Sequence, residues 1–99
     1  MSAEGQTIEI SPDARPRLAR GCRLRDSSSE PSMLLMPERA LKVNGTALRV
    51  LQLCDGQRTF AEILAALTAE FPAQSPGDME RDTTQFLHRL LEKRAIDLS

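Results

Sequence analysis

Aromatic residues are scarce in this chain: it has no Trp, no Tyr and only Phe60, Phe71 and Phe86. Leu, Val, Ile and Met must therefore fill the core, and at 99 residues that core belongs to one domain at most. A domain of this size buries only about two-thirds of the surface its unfolded chain exposes. Charge of one sign is also lacking. The formal net charge of -1 gives no global attraction to phosphate backbones or anionic membranes. No apolar run approaches the roughly 18 residues needed to span a bilayer. The first residues lack the basic flank and apolar core of a secretory signal, so a cytoplasmic protein is expected, without membrane contact. The two cysteines, Cys22 and Cys54, show no Cys-x-x-Cys spacing, and each falls on an apolar face; two buried free thiols are expected.

Catalytic machinery is equally sparse. His88 is the only histidine, and helical spacing turns it away from its apolar neighbours, so it is expected to face solvent and to hold no metal. Asp78, Glu80 and Asp82 lack the Gly and terminal Glu of a calcium loop and read as the start of a helix whose dipole they complement. Neither familiar Gly-rich phosphate loop occurs. Ser27-Ser28-Ser29 has no adjacent acid or base and reads as a turn. The expectation is a protein that is not an enzyme and carries no cofactor.

What is there centres on residues 44–63, which read as helix, tight stop, helix. Asn44 can cap the first helix, and Ala47, Leu48, Val50, Leu51 and Cys54 recur on one face. Gly56 follows the last apolar residue, where a left-handed backbone costs nothing. Thr59 and Glu62 have capping-box spacing, so the next helix starts at once and carries Phe60, Ile63, Leu64, Leu67 and Phe71 until Pro72. So short a link crosses the two helices steeply, as in a helix-turn-helix. Ser75 and Pro76 then start a third helix with Met79, Thr83, Phe86, Leu87, Leu90 and Leu91 on one side.

Upstream, the pattern is extended. Residues 1–11 read as a flexible tail, and residues 12–99 as a single domain. Pro12 and Pro16 interrupt any helix. Cys22–Arg25, Met33–Met36 and Ala40–Val43 read as three short strands in a meander. Ile96 and Leu98 alternate with Asp97 in a short extended tail. The expected fold is α+β and winged helix-turn-helix-like, a three-stranded antiparallel sheet followed by three helices.

Two binding functions suit such a fold. A winged-helix DNA-binding regulator needs a basic helix, yet the second helix carries Glu62 and Glu70 and no Lys or Arg. The basic residues Arg15, Arg17, Arg20, Arg23 and Arg25 read as a solvated face, with an acidic protein or peptide partner as the alternative and DNA last. Peptide binding is the stronger reading. An open sheet leaves an edge, and Ala40–Val43 can be that edge, with no Pro to block pairing. With the third helix beside it, an extended peptide could add a strand there.

Several motifs resemble one family. Met33-Leu34-Leu35-Met36-Pro37-Glu38, Val43-Asn44-Gly45-Thr46-Ala47 and Leu53-Cys54-Asp55-Gly56-Gln57-Arg58-Thr59 are similar to the PqqD family of pyrroloquinoline quinone biosynthesis. Pro16-x-Leu18, Gly21-Cys22-Arg23-Leu24, Asp82, Phe86-Leu87 and Ile96 extend the likeness over roughly residues 12 to 98. Three positions depart from the pattern: Val43 stands for Leu, Arg39 for a frequent Gly, and Arg94 for a Gly before the aliphatic end. The resemblance implies a small RiPP recognition element, a peptide chaperone that binds the precursor peptide PqqA and presents it to the radical S-adenosylmethionine enzyme PqqE. Cofactor chemistry then belongs to the partner. It also implies a site made of Arg39, Ala40, Leu41, Lys42 and Val43 on the edge strand with Phe86, Arg89, Leu90 and Lys93 on the helix. An exposed edge permits either a monomer or a swapped homodimer.

Overall fold

The computed structural model describes residues 10–25, 32–43 and 45–98. The expected Asn44 cap and the Ser27–Ser29 turn lie outside them, as does most of the expected tail. Ile10, assigned to that tail, is buried in the core.

The expected meander is present. Strands β2 (Arg23–Arg25), β3 (Ser32–Met36) and β4 (Arg39–Val43) form an antiparallel sheet in the order β2-β3-β4. Paired positions share a face. Leu24, Leu34 and Leu41 therefore form one inward row, with Ser32 and Val43 beside it. Leu34, on the middle strand, has 0 % of its surface exposed. The outward rows are Arg23–Leu35–Ala40 and Arg25–Met33–Lys42.

Sequence reasoning misses a second, two-stranded sheet. β1 (Pro16–Leu18) pairs antiparallel with β5 (Ile96–Leu98), joining the two ends of the domain. Pro16 is tolerated as the first residue of its strand, where its missing N–H breaks no ladder bond that the sheet requires. The other side of β1 meets the corner between the first two helices. Arg17 bridges to Asp55, and the Gly56 N–H donates to the Pro16 carbonyl at 2.9 Å. Gly56 has φ +79°, and a Cβ there would lie 3.3 Å from Cβ of Arg17. Glycine is thus required twice, by backbone conformation and by the closeness of β1.

Helices α1 (Gly45–Leu53), α2 (Phe60–Glu70) and α3 (Pro76–Glu92) follow. The capping box of α2 is formed: the Glu62 N–H donates to Thr59 Oγ1, and the Thr59 N–H donates to Glu62 Oε1. That bond holds the Glu62 carboxyl below its usual range. Ser75 caps α3, with Pro76 as its first residue. Val50, Leu51, Leu53, Phe60, Ile63, Leu67, Met79 and Leu87 build the core against Leu34 and Val43. On the surface, Arg49 reaches from α1 to Glu70 of α2 through two hydrogen bonds of 2.7 and 2.9 Å.

Arg94, which stands where the resembling family often has Gly, closes α3 with φ +58°. The Ala95 N–H then donates back to the Leu90 carbonyl at 2.8 Å and launches β5. A side chain is strained in that conformation by about 1–2 kcal/mol. Arg94→Gly is therefore expected to raise the melting temperature by several degrees in calorimetry; no change, or a fall, would mean that Arg94 earns its strain through contacts.

His88 departs from expectation. It is half-buried rather than solvent-facing, and its Nε2 is buried without a hydrogen-bond partner. The reason is that α3 packs against α2, β5 and α1, which cover more of its circumference than one stripe.

Candidate peptide-binding site

The corner motif Leu53–Thr59 uses its polar groups to build the turn itself. Asp55 Oδ1 accepts the N–H groups of Gln57 and Arg58 at 2.8 and 3.1 Å, and the Arg58 guanidinium pairs with Asp55 Oδ2. The Gln57 and Arg58 N–H groups, with the Arg58 charge, hold the Asp55 carboxyl below its usual range. Cys54 is buried behind it, its thiol pushed up to about 12 by burial first and Asp55 second. Such a thiol is no nucleophile at neutral pH. Cys22 is half-buried, its pKa raised by burial and by Asp97; both cysteines are free. Among the described residues, no three His, Cys, Asp or Glu side chains are grouped so as to hold a metal ion, and no helix is long and apolar enough to cross a membrane.

Two features remain open. The first is the outer edge of β4. Its hairpin with β3 turns through only Pro37 and Glu38, so the flanking pair Met36 and Arg39 is of the hydrogen-bonded kind. Alternation then directs the backbone groups of Leu41 and Val43 toward β3, and those of Ala40 and Lys42 away from it. Among the described residues no strand pairs with this outward side.

The second is a cavity of about 200 Å³ between α3 and the first turns of α1. Thr46, Ala47 and Val50 line it from α1; Asp82, Thr83, Phe86 and Arg89 from α3; Gln74 from the connection before α3. Thr46 follows Val43 by three peptide links, so the cavity begins within about 11 Å of the end of β4. Thr83 is only 2 % exposed, and its Oγ1 has no hydrogen-bond partner. Asp82 is engaged: it accepts from Gln74 Nε2 at 2.8 Å and lies 3.5 Å from Arg81. The Arg89 guanidinium has no partner among the described residues. α1 has no acidic residue in its first turn, so the positive end of its dipole at the cavity is uncompensated. The cavity thus holds one unpartnered cation, Arg89, beside the hydrogen-bonded carboxylate of Asp82, over walls that are largely apolar.

The expected site residues separate accordingly. Arg39, Ala40 and Lys42 are exposed on β4, Leu41 is half-buried and Val43 is buried. Phe86 and Arg89 meet in the cavity. Leu90 is 1 % exposed and belongs to the core, with no surface to offer a ligand. Lys93 is exposed at the end of α3, outside the cavity. The contribution of α1 is absent from the sequence reading, since Ala47 and Val50 follow the same helical stripe as core residues. Thr83 was legible only as one polar member of an apolar face.

The family model "Coenzyme PQQ synthesis protein D (PqqD)" matches residues 32–96. This chain belongs to the PqqD family. It is similar to a protein of Xanthomonas oryzae pv. oryzae named "PqqA binding protein", 38% identical over 90 residues, covering 90% of this chain and 97% of that one. A Rhodopseudomonas palustris protein of the same name is 37% identical over 87 residues, covering 87% of this chain and 84% of that one. Among solved structures it is similar to the PqqD truncation of Methylobacterium extorquens PqqCD, determined by solution NMR and described as a functional, stand-alone RiPP recognition element. The TM-score is 0.71 at 35% identity, covering 90% of this chain and 95% of the other. The motif at residues 53–59 is turn architecture, whereas the β4 edge and the cavity remain open.

Proposed function

We propose that this PqqD-family chain is a non-catalytic adaptor that binds the precursor peptide PqqA by strand addition along the outward edge of β4 and presents it to the radical S-adenosylmethionine enzyme PqqE. The observation that carries the reading is a strand edge unpaired among the described residues, with a cavity lined by the unpartnered Arg89 starting within about 11 Å of its end. Its support from relatives is their name, PqqA binding protein.

In this mechanism the Ala40 and Lys42 backbone groups exchange hydrogen bonds with the peptide, each net about 0.5–1.5 kcal/mol. One peptide side chain enters the cavity, its stem against Ala47, Val50 and Phe86. Arg89 and the α1 N-terminus favour a carboxylate on or near that side chain, and Lys93 extends the positive charge along α3. Leu90 acts from beneath, holding α3 in place.

Titration of labelled protein with a PqqA peptide tests this directly. The amides of Ala40 and Lys42 should shift, and Phe86→Ala and Arg89→Ala should each weaken binding by about five- to thirty-fold, the effect of removing an anchor of about 1–2 kcal/mol. Loss from Arg89→Ala should shrink at high salt, unlike that from Phe86→Ala. Peptide-induced shifts confined to other surfaces would refute the site.

A further inference from the structure

Among the described residues two buried side-chain atoms lack a hydrogen-bond partner, Thr83 Oγ1 and His88 Nε2, and of these two residues only Thr83 lines the cavity between α1 and α3. A buried hydroxyl left unpaired is costly, and a native structure keeps few of them. Burial sorts the cavity lining by depth. Val50, 1 % exposed, and Thr83, 2 % exposed, form the floor. Ala47 and Phe86 are half-buried walls, and Asp82 and Arg89 are exposed at the rim. The floor thus holds one hydroxyl among apolar surfaces. Rotation about χ1 exchanges Oγ1 with the methyl group, and threonine in a helix populates two such rotamers, so the hydroxyl is within reach of whatever fills the floor.

We propose that Thr83 selects which peptide side chain enters the cavity: one with an apolar stem and a neutral hydrogen-bonding tip, an amide or a hydroxyl. The proposal rests on the adaptor reading above and names the chemistry of that site's occupant. At about 200 Å³ the cavity is smaller than the roughly 300–1,000 Å³ of small-molecule sites, which suits a single side chain.

The placement of charge favours a neutral tip. The floor is buried, so a charge brought there loses its hydration. The Asp82 carboxylate, next in the chain to Thr83, lines the same cavity and repels a second carboxylate. Arg89 stands six positions after Thr83, about 9 Å farther along the helix axis. Its charge therefore serves a carboxylate at the rim, which then belongs to a neighbouring peptide residue. A cationic tip fares no better, because it meets Arg89 at the rim while Asp82 is already held by Gln74 Nε2 at 2.8 Å. A wholly apolar tip fits the walls but leaves Oγ1 unpaired.

The test is a positional scan. PqqA peptides carrying Gln, Glu or Leu at each position in turn are titrated against the native chain, Thr83→Val and Thr83→Ser. At one position the native chain should bind the Gln peptide at least about fivefold more tightly than the Leu and Glu peptides, the effect of one buried hydrogen bond. Thr83→Val keeps the volume without the hydroxyl and should bind the Leu peptide best at that position, whereas Thr83→Ser should keep the preference for Gln. Without peptide, Thr83→Val should melt several degrees above the native chain, since the unpaired hydroxyl is gone. An unchanged or lower melting temperature would mean that Oγ1 is satisfied within the fold, and would overturn the proposal. So would a preference for Glu or Leu at every position in the native chain, or a ranking that Thr83→Val leaves unaltered. If the peptide binds and Phe86→Ala weakens it, yet no position prefers Gln, the proposal fails while the peptide site stands. If no peptide binds, the adaptor reading fails and the proposal with it.

Discussion

Lys42→Pro should reduce affinity for the precursor peptide by five-fold or more while leaving the domain's stability nearly intact; Leu41→Pro, one residue away, should destabilise the fold strongly. The two adjacent positions differ in where their backbone groups and their side chains point. The β4 register turns the Lys42 N–H outward, where nothing in the described fold uses it, so replacing it by proline costs the sheet little. A bound peptide would find one carbonyl without its donor, a penalty of about 1–3 kcal/mol, or roughly five- to 150-fold in affinity. The Leu41 N–H instead belongs to the ladder with Leu34, and its side chain packs inward. Proline there breaks an internal bond and displaces the strand, at about 3 kcal/mol or more. For a domain of this length that lowers the melting temperature by roughly 12–24 °C. Circular dichroism and peptide titration on both variants check the pair. Native affinity in a folded Lys42→Pro protein would eliminate strand addition at this edge.

Leu34→Ala carries the largest loss of stability expected from shortening a side chain. Leu34 is fully buried on the central strand, between Leu24 and Leu41, and packs into the cluster that α1, α2 and α3 share. Removing its side chain should cost about 2–5 kcal/mol, transfer energy plus the cavity left behind. That is a large part of the roughly 5–15 kcal/mol that holds a typical domain together. Its neighbour Leu35 points to the opposite face and is half-buried, so Leu35→Ala should cost far less. Denaturant melts of the two variants give the comparison; equal losses would mean that the sheet faces are assigned the wrong way round.

The helical half of this fold is legible from local chemistry. Thr59 with Glu62, Ser75 with Pro76, and Pro72 each act within one helical turn, and the structure forms these caps and stops where the spacing puts them. The meander is legible too, because short links and alternation suffice. The β1–β5 sheet is not: each strand has three residues, Pro16 disguises the first, and their partners stand some 80 positions apart. Burial of His88 is hidden for a related reason, since one helix cannot report how many neighbours surround it. At the candidate site, Phe86 and Arg89 emerge from the family likeness. Thr46, Ala47 and Val50 do not, because an apolar wall of a cavity and an apolar wall of a core use the same residues. Leu90 shows the converse: helical spacing alone cannot tell an anchor from a keystone.

The pairing of Pro16 with Leu98 has a practical corollary. Trimming residues 96–98 should therefore loosen residues 16–18 as well, although the two segments lie at opposite ends of the sequence.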